Sequence, residues 1–255
     1  MKQEELKKYE SRLMGLIPIE RILTVDVKRP DQSIIEEFKN MEGLTPTISD
    51  VLDSLGINGA IPASVLKPLQ QGKVIVGPAV TLRYLPERKK TTQSFFDGAR
   101  ARMADRDSYA VAEPGDVIVV DNGGANISCM GGLSAQVACN CKLAGSVIDG
   151  GVRDVDGIRK LGYPVWARGV TPISGKYRIE AIEINGPVTI AGAQVSPGDL
   201  IIADDTGVVV IPQDYIEIVL EKAKEVAAKE EEVVNALKRG ATIEELKKIL
   251  PPAKW

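Results

Sequence analysis

The sequence predicts an α/β fold in which a sheet is covered by helices and wrapped by further strands. In segment 121–154 an apolar strand end, a glycine-rich turn, a helix of roughly ten residues and a second apolar run follow one another. Segments 113–121 and 196–204 also echo each other, because each passes from a Pro-Gly turn into a β-branched strand that ends in an acid. A strand-helix-strand unit beside a meander of strands is typical of this fold class.

The length and composition allow one large domain with additions at both ends. The chain has 255 residues, of which 44% are hydrophobic, so it can bury a substantial core. We predict an N-terminal helical arm over residues 1–44, a core over 45–212 and C-terminal helices over 213–255. Because the last helices extend away from the core, we expect them to pack on a neighbouring subunit.

Individual elements follow from hydrophobic periodicity, capping residues and turn signals. An apolar stripe after Gln213 predicts one long helix closed by Gly240, and Thr242 with Glu245 has capping-box spacing. The predicted helices cover 2–14, 32–41, 47–56, 93–104, 213–238 and 242–250, and the predicted strands cover 73–83, 113–121, 179–184, 187–190, 196–204 and 208–211.

Charge and hydropathy exclude several classes of partner. The net charge is only -3, and acidic and basic residues are mixed along the chain, which argues against nucleic acid as the main partner. No apolar run approaches the roughly 20 residues that a bilayer requires, and the charged N-terminus has no signal-peptide pattern. Three cysteines form no closed disulfide set. We therefore predict a cytoplasmic protein without a membrane partner.

The absence of histidine restricts the chemistry. It excludes Ser-His-Asp and Cys-His mechanisms and every histidine-ligated zinc or iron site. Proton transfer is then left to Asp, Glu, Lys, Tyr or metal-bound water. A metal held by oxygen ligands alone would be a hard cation, so Mg²⁺ or Mn²⁺ is the expected cofactor.

Two glycine turns mark the candidate ligand site. Gly131 and Gly132 open a helix at Leu133–Ser134, and the free N–H groups of a first helical turn favour a carboxylate or phosphate. The apolar run 146–148 is expected to stop at a tight turn over 149–151, which Asp149 braces through backbone hydrogen bonds. That turn would deliver Arg153 and Asp154 to the start of the next helix.

The pair Arg153-Asp154 has two interpretations. A guanidinium that projects into a crevice suits a carboxylate or a keto-acid oxygen, and the neighbouring carboxylate could hold a divalent cation partly through water. Alternatively, the pair is a salt bridge at a helix start, Asp154 is only its N-cap, and the glycines form a plain turn. Spacing alone leaves both interpretations open.

Other polar residues favour structural roles. The strand-end acids Asp121, Asp204 and Asp205 are interpreted as turn residues, and the two helical cysteines, Cys139 and Cys141, as packing residues. The basic cluster of Arg100, Arg102 and Arg106 is interpreted as a salt-bridged surface, and its alternative is a contribution to an anion pocket.

Motifs spread over residues 45–240 match the pattern of one known family. They include Ile48-Ser-Asp-Val-Leu-Asp-Ser-Leu55, Asp121-Asn-Gly-Gly124, the helix start at Gly131-Gly132-Leu133 and Val147-Ile-Asp-Gly-Gly-Val-Arg-Asp154. Together they resemble the RraA-like family, which includes the class II pyruvate aldolases that act on 4-hydroxy-4-methyl-2-oxoglutarate and 4-carboxy-4-hydroxy-2-oxoadipate.

The resemblance implies a fold, an assembly and a site. The fold is a swivelling β/β/α sandwich, similar to phosphohistidine domains, in homotrimers or homohexamers whose sites lie between subunits. Arg153 and Asp154 match the pair that binds the substrate keto oxygen and a Mg²⁺ or Mn²⁺ ion, and 131–134 matches the backbone that binds the substrate carboxylate. A neighbour's C-terminal helix supplies a further acid for the metal's water shell, and here Glu230, Glu231 and Glu232 are its candidates.

One position departs from the family pattern. Where the aldolases carry an acid that manages the proton of the retro-aldol step, this chain has Gly132. Decarboxylation of a β-keto acid such as oxaloacetate needs a cation and an arginine but no base for a hydroxyl. We therefore expect a divalent-metal-dependent lyase that acts on a small 2-oxo acid, as a decarboxylase or as an aldolase with a different base.

Two other functions are associated with the same family resemblance. Some relatives lack the metal carboxylate and inhibit a ribonuclease by protein contact, so a non-catalytic protein-binding regulator is the alternative; the presence of Asp154 favours the enzyme. The label demethylmenaquinone methyltransferase is rejected, because the sequence has no nucleotide-binding glycine loop followed by an acidic ribose-binding position.

Overall fold

The computed structural model describes residues 7–249, which form a layered α/β structure. The helices of this part are α1 (Gln32–Lys39), α2 (Leu44–Ser54), α3 (Thr91–Phe96), α4 (Asp105–Val111), α5 (Gly132–Asn140), α6 (Val155–Leu161), α7 (Ile216–Lys238) and α8 (Ile243–Ile249). Its strands are β1 (Ala60–Pro62), β2 (Lys67–Pro68), β3 (Ile75–Pro86), β4 (Val117–Asp121), β5 (Ser128–Met130), β6 (Gly145–Val152), β7 (Val165–Val170), β8 (Ile179–Ile184), β9 (Val188–Ile190), β10 (Ala193–Val195), β11 (Leu200–Ala203) and β12 (Gly207–Ile211).

The main sheet is mixed, with a parallel centre. Its strand order is β1-β12-β11-β3-β4-β6-β7-β2, with β5 paired to β6 and β8 to β3, while β9 and β10 form a separate hairpin. Strands β3, β4, β6 and β7 run parallel. Because β4, α5 and β6 follow one another and the two strands pair in parallel, the predicted strand-helix-strand unit is present.

Alternate residues of the central strands enter different layers. Ile118 and Val120 of β4 pack with residues of α4, α5 and α6, whereas Val117 and Val119 pack with residues of β9, β11 and β12. A third core joins β11 and β12 to α1, α2 and α7. The resulting stack of sheet, second sheet layer and helices confirms the predicted β/β/α sandwich with a long C-terminal helix.

The predicted helix over 93–104 is wrong. Helix α3 already ends at Phe96, the chain turns at Gly98 with φ +62°, and α4 begins only at Asp105. A glycine in the left-handed region ends a helix at little steric cost. This break matters because it leaves Asp105 at the start of a separate helix.

Other helix boundaries differ by a few residues. Helix α2 begins at Leu44, after Gly43, rather than at Thr47, because Pro46 is tolerated in a first helical turn. Helix α1 ends at Lys39, and Gln213–Tyr215 form a 3₁₀ turn before α7. The Thr242–Glu245 capping box is present before α8, with Thr242 N donating to Glu245 Oε2 at 2.8 Å. The predicted last residue, Leu250, lies outside the described residues.

The predicted tight turn over 149–151 is also wrong. Strand β6 continues through Gly150 and Gly151 to Val152, with a register irregularity against β7. The two glycines serve close packing, because an added Cβ would lie 2.6 Å from Thr171 Cγ2 at Gly151 and 3.0 Å from Asn122 Cβ at Gly150. The strand therefore delivers Arg153 directly from its C-terminal end.

The N-terminal segment is anchored to α4 by one buried carboxylate. Asp107 accepts hydrogen bonds from Met14 N at 2.6 Å, from Leu16 N at 2.5 Å and from Ile17 N at 3.2 Å. The predicted helix over 2–14 begins outside the described residues, and residues 8–12 form turns. The anchoring places Leu16 against the central domain.

A helix that crosses a lipid bilayer must be long and predominantly apolar. None of the helices within residues 7–249 is both long and apolar enough to cross it.

We expect Asp107→Ala to lower the free energy of unfolding by about 3 kcal/mol, because three backbone donors would lose a buried, charged acceptor. Urea unfolding followed by circular dichroism measures this loss. Asp50→Ala is the matched control, since Asp50 is exposed on α2. Equal losses in the two variants would contradict the anchoring role.

Candidate active site

The candidate site begins where β6 ends. Arg153 N donates to Met130 O at 3.0 Å, which ties the strand end to β5. Asp154 then adopts φ +55°, a conformation that residues other than glycine seldom occupy, and α6 starts at the next residue. The side chains of Arg153 and Asp154 are 45% and 53% exposed, so both are accessible to a ligand.

Helix α5 presents its free N–H groups at the same place. The first hydrogen bond within the helix runs from Ala135 N to Gly131 O, which leaves the N–H groups of the first turn without helical partners. Gly132 N donates to Asp154 Oδ2 at 3.1 Å. Within residues 7–249 no atom accepts a hydrogen bond from the N–H of Leu133 or Ser134. Two backbone donors thus remain for an anion.

Gly131 allows the close approach of the charged pair. A Cβ at this position would lie 2.7 Å from Asp154 Oδ2 and 3.2 Å from Arg153 Nε. At Gly132 a Cβ would lie 3.5 Å from Asp154 Cβ, which is ordinary contact. The first glycine is therefore a steric requirement of the site, whereas the second leaves room for a side chain.

These groups line one cavity of about 280 Å³. Its wall carries three cations and two acids, and the remaining lining includes hydroxyl groups and apolar side chains. The charged lining residues are Arg106, Arg153, Lys176, Asp105 and Asp154, and the others include Leu16, Met103, Met130, Gly131, Leu133, Ser128, Ser134 and Ser174. A volume of this size suits a small organic anion.

Asp105 forms a hydrogen-bonded network beside the helix start. Ser134 Oγ donates to Asp105 Oδ2 at 2.5 Å, and Tyr109 Oη lies 2.7 Å from the same Ser134 Oγ. Burial raises the pKa of Asp105, while the Ser134 hydrogen bond and the Arg106 charge oppose that rise. Tyr109 is fully enclosed, and burial raises its pKa well above the ordinary value. The hydroxyl groups of Ser134 and Tyr109 are therefore neutral, and Asp105 is the titratable group of the network.

The structure contains features of both interpretations of Arg153-Asp154, the local salt bridge and the ligand site. Arg153 Nε lies 3.6 Å from Asp154 Oδ2, so the pair is in ion-pair contact. However, the Asp154 side chain makes no capping hydrogen bond to α6 and binds the start of α5 instead. A hollow lies beside the guanidinium. The geometry is thus more than a local salt bridge at a helix start.

The acids of the C-terminal helix lie elsewhere. Glu230, Glu231 and Glu232 are exposed on α7 and do not line the cavity of their own subunit. Within the part of the chain that the structure describes, no three acidic or cysteine side chains cluster in a way that could hold a metal ion. A cation site within one subunit would therefore depend on Asp154 and water.

The basic cluster is divided between two roles. Arg102 forms ion pairs with Glu87 and Glu180, and Arg100 donates to Met14 O at 2.9 Å. Arg106 instead lines the cavity. The salt-bridge interpretation therefore holds for Arg102, while a contribution of Arg106 to an anion pocket stays a prediction.

The acids interpreted as turn residues do bind backbone groups. Asp121 accepts from Gly123 N, Asp204 from Thr45 N, and Asp205 from Gly72 N. Asp149, expected to brace the glycine loop, accepts from Ala191 N and pairs with Arg168 instead. All four carboxylates therefore have structural hydrogen-bond or ion-pair partners within the chain.

The three cysteines are free thiols. Cys139 and Cys141 pack against the core that β4 shares with α5, as expected for packing residues. Cys129 lines the cavity, but burial raises the pKa of its thiol, so it remains protonated and is a poor nucleophile.

Sequence reasoning missed several residues of the cavity, among them Leu16, Asp105 and Lys176. The position of Asp105 at the start of a helix could have identified it, but the predicted helix over 93–104 ended just before this residue. Leu16 and Lys176 arrive from distant segments, which no local pattern connects.

The fold and the cavity define a β/β/α protein with a small pocket, lined by three cations and two acids, at the end of a parallel strand. A family model described as RraA-like, Aldolase/RraA, matches residues 45–210. The chain belongs to this family.

Several relatives illustrate the range of the family. Protein DlpA of Legionella pneumophila is 40% identical over 201 residues, which cover 78% of this chain and only 31% of that longer protein. A Halalkalibacterium halodurans protein named "Putative 4-hydroxy-4-methyl-2-oxoglutarate aldolase" is 34% identical over 77% of this chain and 85% of its own length. The crystal structure of Streptomyces coelicolor RraAS2, described as an unusual member of the RNase ES inhibitor RraA family, has 29% identity and a TM-score of 0.67 and covers 80% of this chain and 96% of its own.

We expect Gly131→Ala to lower the free energy of unfolding by about 1 kcal/mol, because its methyl group would displace the half-exposed Asp154 side chain from Gly132 N. Gly132→Ala is the matched control, and its loss should stay within about 0.5 kcal/mol, since alanine favours helices. Chemical denaturation of the two proteins measures the difference. A Gly132→Ala protein that is the less stable of the two would refute the steric explanation.

Proposed function

We propose that this protein is a carbon–carbon lyase that acts on a small 2-oxo acid and releases pyruvate through an enolate. The observation that carries the proposal is that Arg153, Asp154 and the free N–H groups of Leu133 and Ser134 share one cavity. The family includes relatives named for an aldolase, which supports the same reaction class.

Each group has a distinct role in this proposal. The N–H groups of Leu133 and Ser134, at the positive end of α5, bind the substrate carboxylate. Arg153 donates to the 2-oxo oxygen, where negative charge develops as the bond to the neighbouring carbon breaks. A donor that gains strength as charge develops stabilises the transition state more than the bound substrate.

Asp154 is the proposed metal ligand. Mg²⁺ takes oxygen ligands, keeps several waters and uses only one or two carboxylates. Asp154 fits this requirement, because its side chain is 53% exposed and only Oδ2 accepts a hydrogen bond within residues 7–249. A bound Mg²⁺ or Mn²⁺ would supply Lewis-acid stabilisation of the enolate oxygen.

A homotrimer or homohexamer would complete the site in this proposal. Glu230, Glu231 and Glu232 are exposed on α7 and do not line the cavity of their own chain, so in this proposal they act in a neighbouring subunit. Glu230 or Glu232 is then the further acid of the metal's water shell. The free cysteines suit a reducing compartment, so we place the reaction in the cytoplasm.

Decarboxylation of an oxaloacetate-type substrate makes the smallest demand on this site. Loss of CO₂ leaves the electron pair on the enolate and requires no base for a substrate hydroxyl. Retro-aldol cleavage requires such a base, and Gly132 cannot supply it. The aldolase reaction therefore depends on another acid in the cavity.

A non-catalytic, protein-binding regulator is the second candidate. It is favoured by the similarity to RraAS2, which is described within an RNase ES inhibitor family. A regulator does not need Arg153 and Asp154 beside a hollow, so the site geometry supports the enzyme. A stoichiometric protein partner together with a complete lack of turnover would favour the regulator.

Arg153→Ala should reduce kcat/KM for pyruvate release at least about 100-fold, because one donor to the developing enolate is lost. The assay couples pyruvate to lactate dehydrogenase across a panel of 2-oxo acids, with Mg²⁺ or Mn²⁺ and then with EDTA. Arg153→Lys keeps the charge without the planar fork and should fall between the two proteins. Unchanged turnover in Arg153→Ala or in EDTA would overturn the proposal.

Gly132→Asp should raise retro-aldol turnover by about 10-fold or more relative to oxaloacetate decarboxylation, because it adds a proton acceptor beside the pair. A side chain at this position meets only ordinary contacts. Gly132→Asn is the isosteric control without a base. The ratio of the two rates on 4-hydroxy-4-methyl-2-oxoglutarate and oxaloacetate is the measurement, and equal ratios for the Asp and Asn variants would contradict the expected role.

A further inference from the structure

We infer that Asp105 moves the proton in this cavity, in place of the acid that is absent at Gly132. The inference rests on the proposed lyase activity and adds to it the base that the aldol and enolisation steps require. Asp105 lines the same cavity as Arg153 and as the two free N–H groups of α5. It is therefore within the space that a bound 2-oxo acid would occupy.

Hydrogen bonds fix the Asp105 carboxylate relative to the substrate-binding turn. Asp105 Oδ2 accepts from Ser134 Oγ at 2.5 Å, and Ser134 belongs to the first turn of α5. The next contact, from Ser134 Oγ to Tyr109 Oη, is 2.7 Å. With Tyr109 donating to Ser134 and Ser134 donating to Asp105, the chain of hydroxyl groups ends on an ionised carboxylate. The base is thus held in register with the N–H groups that bind the substrate.

No described residue forms an ion pair with this carboxylate, but backbone hydrogen bonds at Asp105 and Arg106 and the charge of Arg106 oppose the rise of its pKa. Its ion-pair partners would have to lie within 4.0 Å, and none does among residues 7–249. Helix α4 likewise receives no side-chain capping hydrogen bond. Burial outweighs these contacts in its effect on the pKa, so Asp105 keeps a net desolvation cost, and carboxylates of this kind are concentrated at functional sites.

The surroundings of Asp105 make its carboxylate a stronger base than an exposed one. Tyr109 of α4, Tyr84 of β3 and Cys129 of β5 face it, and burial raises the pKa of all three, so they remain neutral. Arg106 is the adjacent cation, and Arg153, Lys176 and Asp154 are the charged groups elsewhere on the cavity wall. Burial outweighs Arg106 and raises the pKa of Asp105, which brings a carboxyl closer to working pH.

The proposed reaction is balanced in protons and electrons and needs no further reagent. In the retro-aldol step, Asp105 takes the proton of the substrate hydroxyl, whose oxygen forms a carbonyl as the carbon–carbon bond breaks. The electron pair of that bond passes into the enolate, whose oxygen Arg153 stabilises. The enolate carbon then takes the proton back from Asp105 and becomes the methyl group of pyruvate. In the reverse direction, Asp105 removes a methyl proton of pyruvate and exchanges it with solvent.

Proton exchange and decarboxylation separate the role of Asp105 from the rest of the site. The full-length protein with Mg²⁺ or Mn²⁺ is given pyruvate in D₂O, and ¹H NMR follows the loss of the methyl signal. Oxaloacetate decarboxylation is measured in parallel, since its bond cleavage needs no base. Asp105→Asn should slow methyl exchange at least about 100-fold and decarboxylation less than about 10-fold.

Two further variants make the result specific. Asp105→Glu restores a carboxylate and should recover part of the exchange rate. Asp156→Asn removes an exposed acid from the first turn of α6 outside the cavity and should exchange at the wild-type rate. In the wild type the exchange rate should rise with pH as Asp105 ionises, and this rise should be absent in Asp105→Asn.

The outcomes distinguish the inference from the proposed function. Equal exchange rates in the wild type and Asp105→Asn would overturn the role of Asp105 and leave the lyase proposal intact. An equal loss of exchange and decarboxylation would also overturn it, because it would indicate a structural defect. A wild-type protein that catalyses neither reaction would overturn the lyase proposal itself.

Discussion

The hydrogen bond from Gly132 N to Asp154 Oδ2 connects the two halves of the site, and the remaining geometry depends on it. It joins the end of β6 to the start of α5, so that the guanidinium and the helical N–H groups share one wall of the cavity. It also requires a residue without a side chain at Gly131, since the carboxylate occupies the space of a Cβ.

The charges around the cavity explain why it would attract a small anion. Arg102 is neutralised by Glu87 and Glu180, but in the described part of the chain neither Arg106 nor Lys176 has an acidic partner within 4.0 Å. With Arg153, they give the cavity wall three cations against two acids. The two acids are Asp105 and Asp154, to which we assign proton transfer and cation binding in the proposals above.

Sequence reasoning predicted the fold, which the structure confirms, and it singled out several of the residues that line the cavity, among them Arg153 and Asp154. The βαβ unit was visible because β4 and β6 are continuous apolar runs, and Arg153-Asp154 was visible because it follows a strand. Two errors came from glycine. Gly98 was expected inside a helix and ends it, while Gly150 and Gly151 were expected to form a turn and instead allow close packing within a strand. Local sequence does not distinguish a glycine that bends the backbone from one that makes room for a neighbour.

The sequence by itself determined the strand-helix-strand unit, the long C-terminal helix, the absence of histidine chemistry and the position of the arginine–aspartate pair after a strand. Each of these follows from residue types and from their spacing along the chain, and so requires no contact between distant segments. Only the tertiary structure decided that Asp105, Leu16 and Lys176 reach the same cavity as Arg153. Their meeting depends on sheet order and on the docking of the N-terminal segment to Asp107, both of which are contacts between residues far apart in sequence.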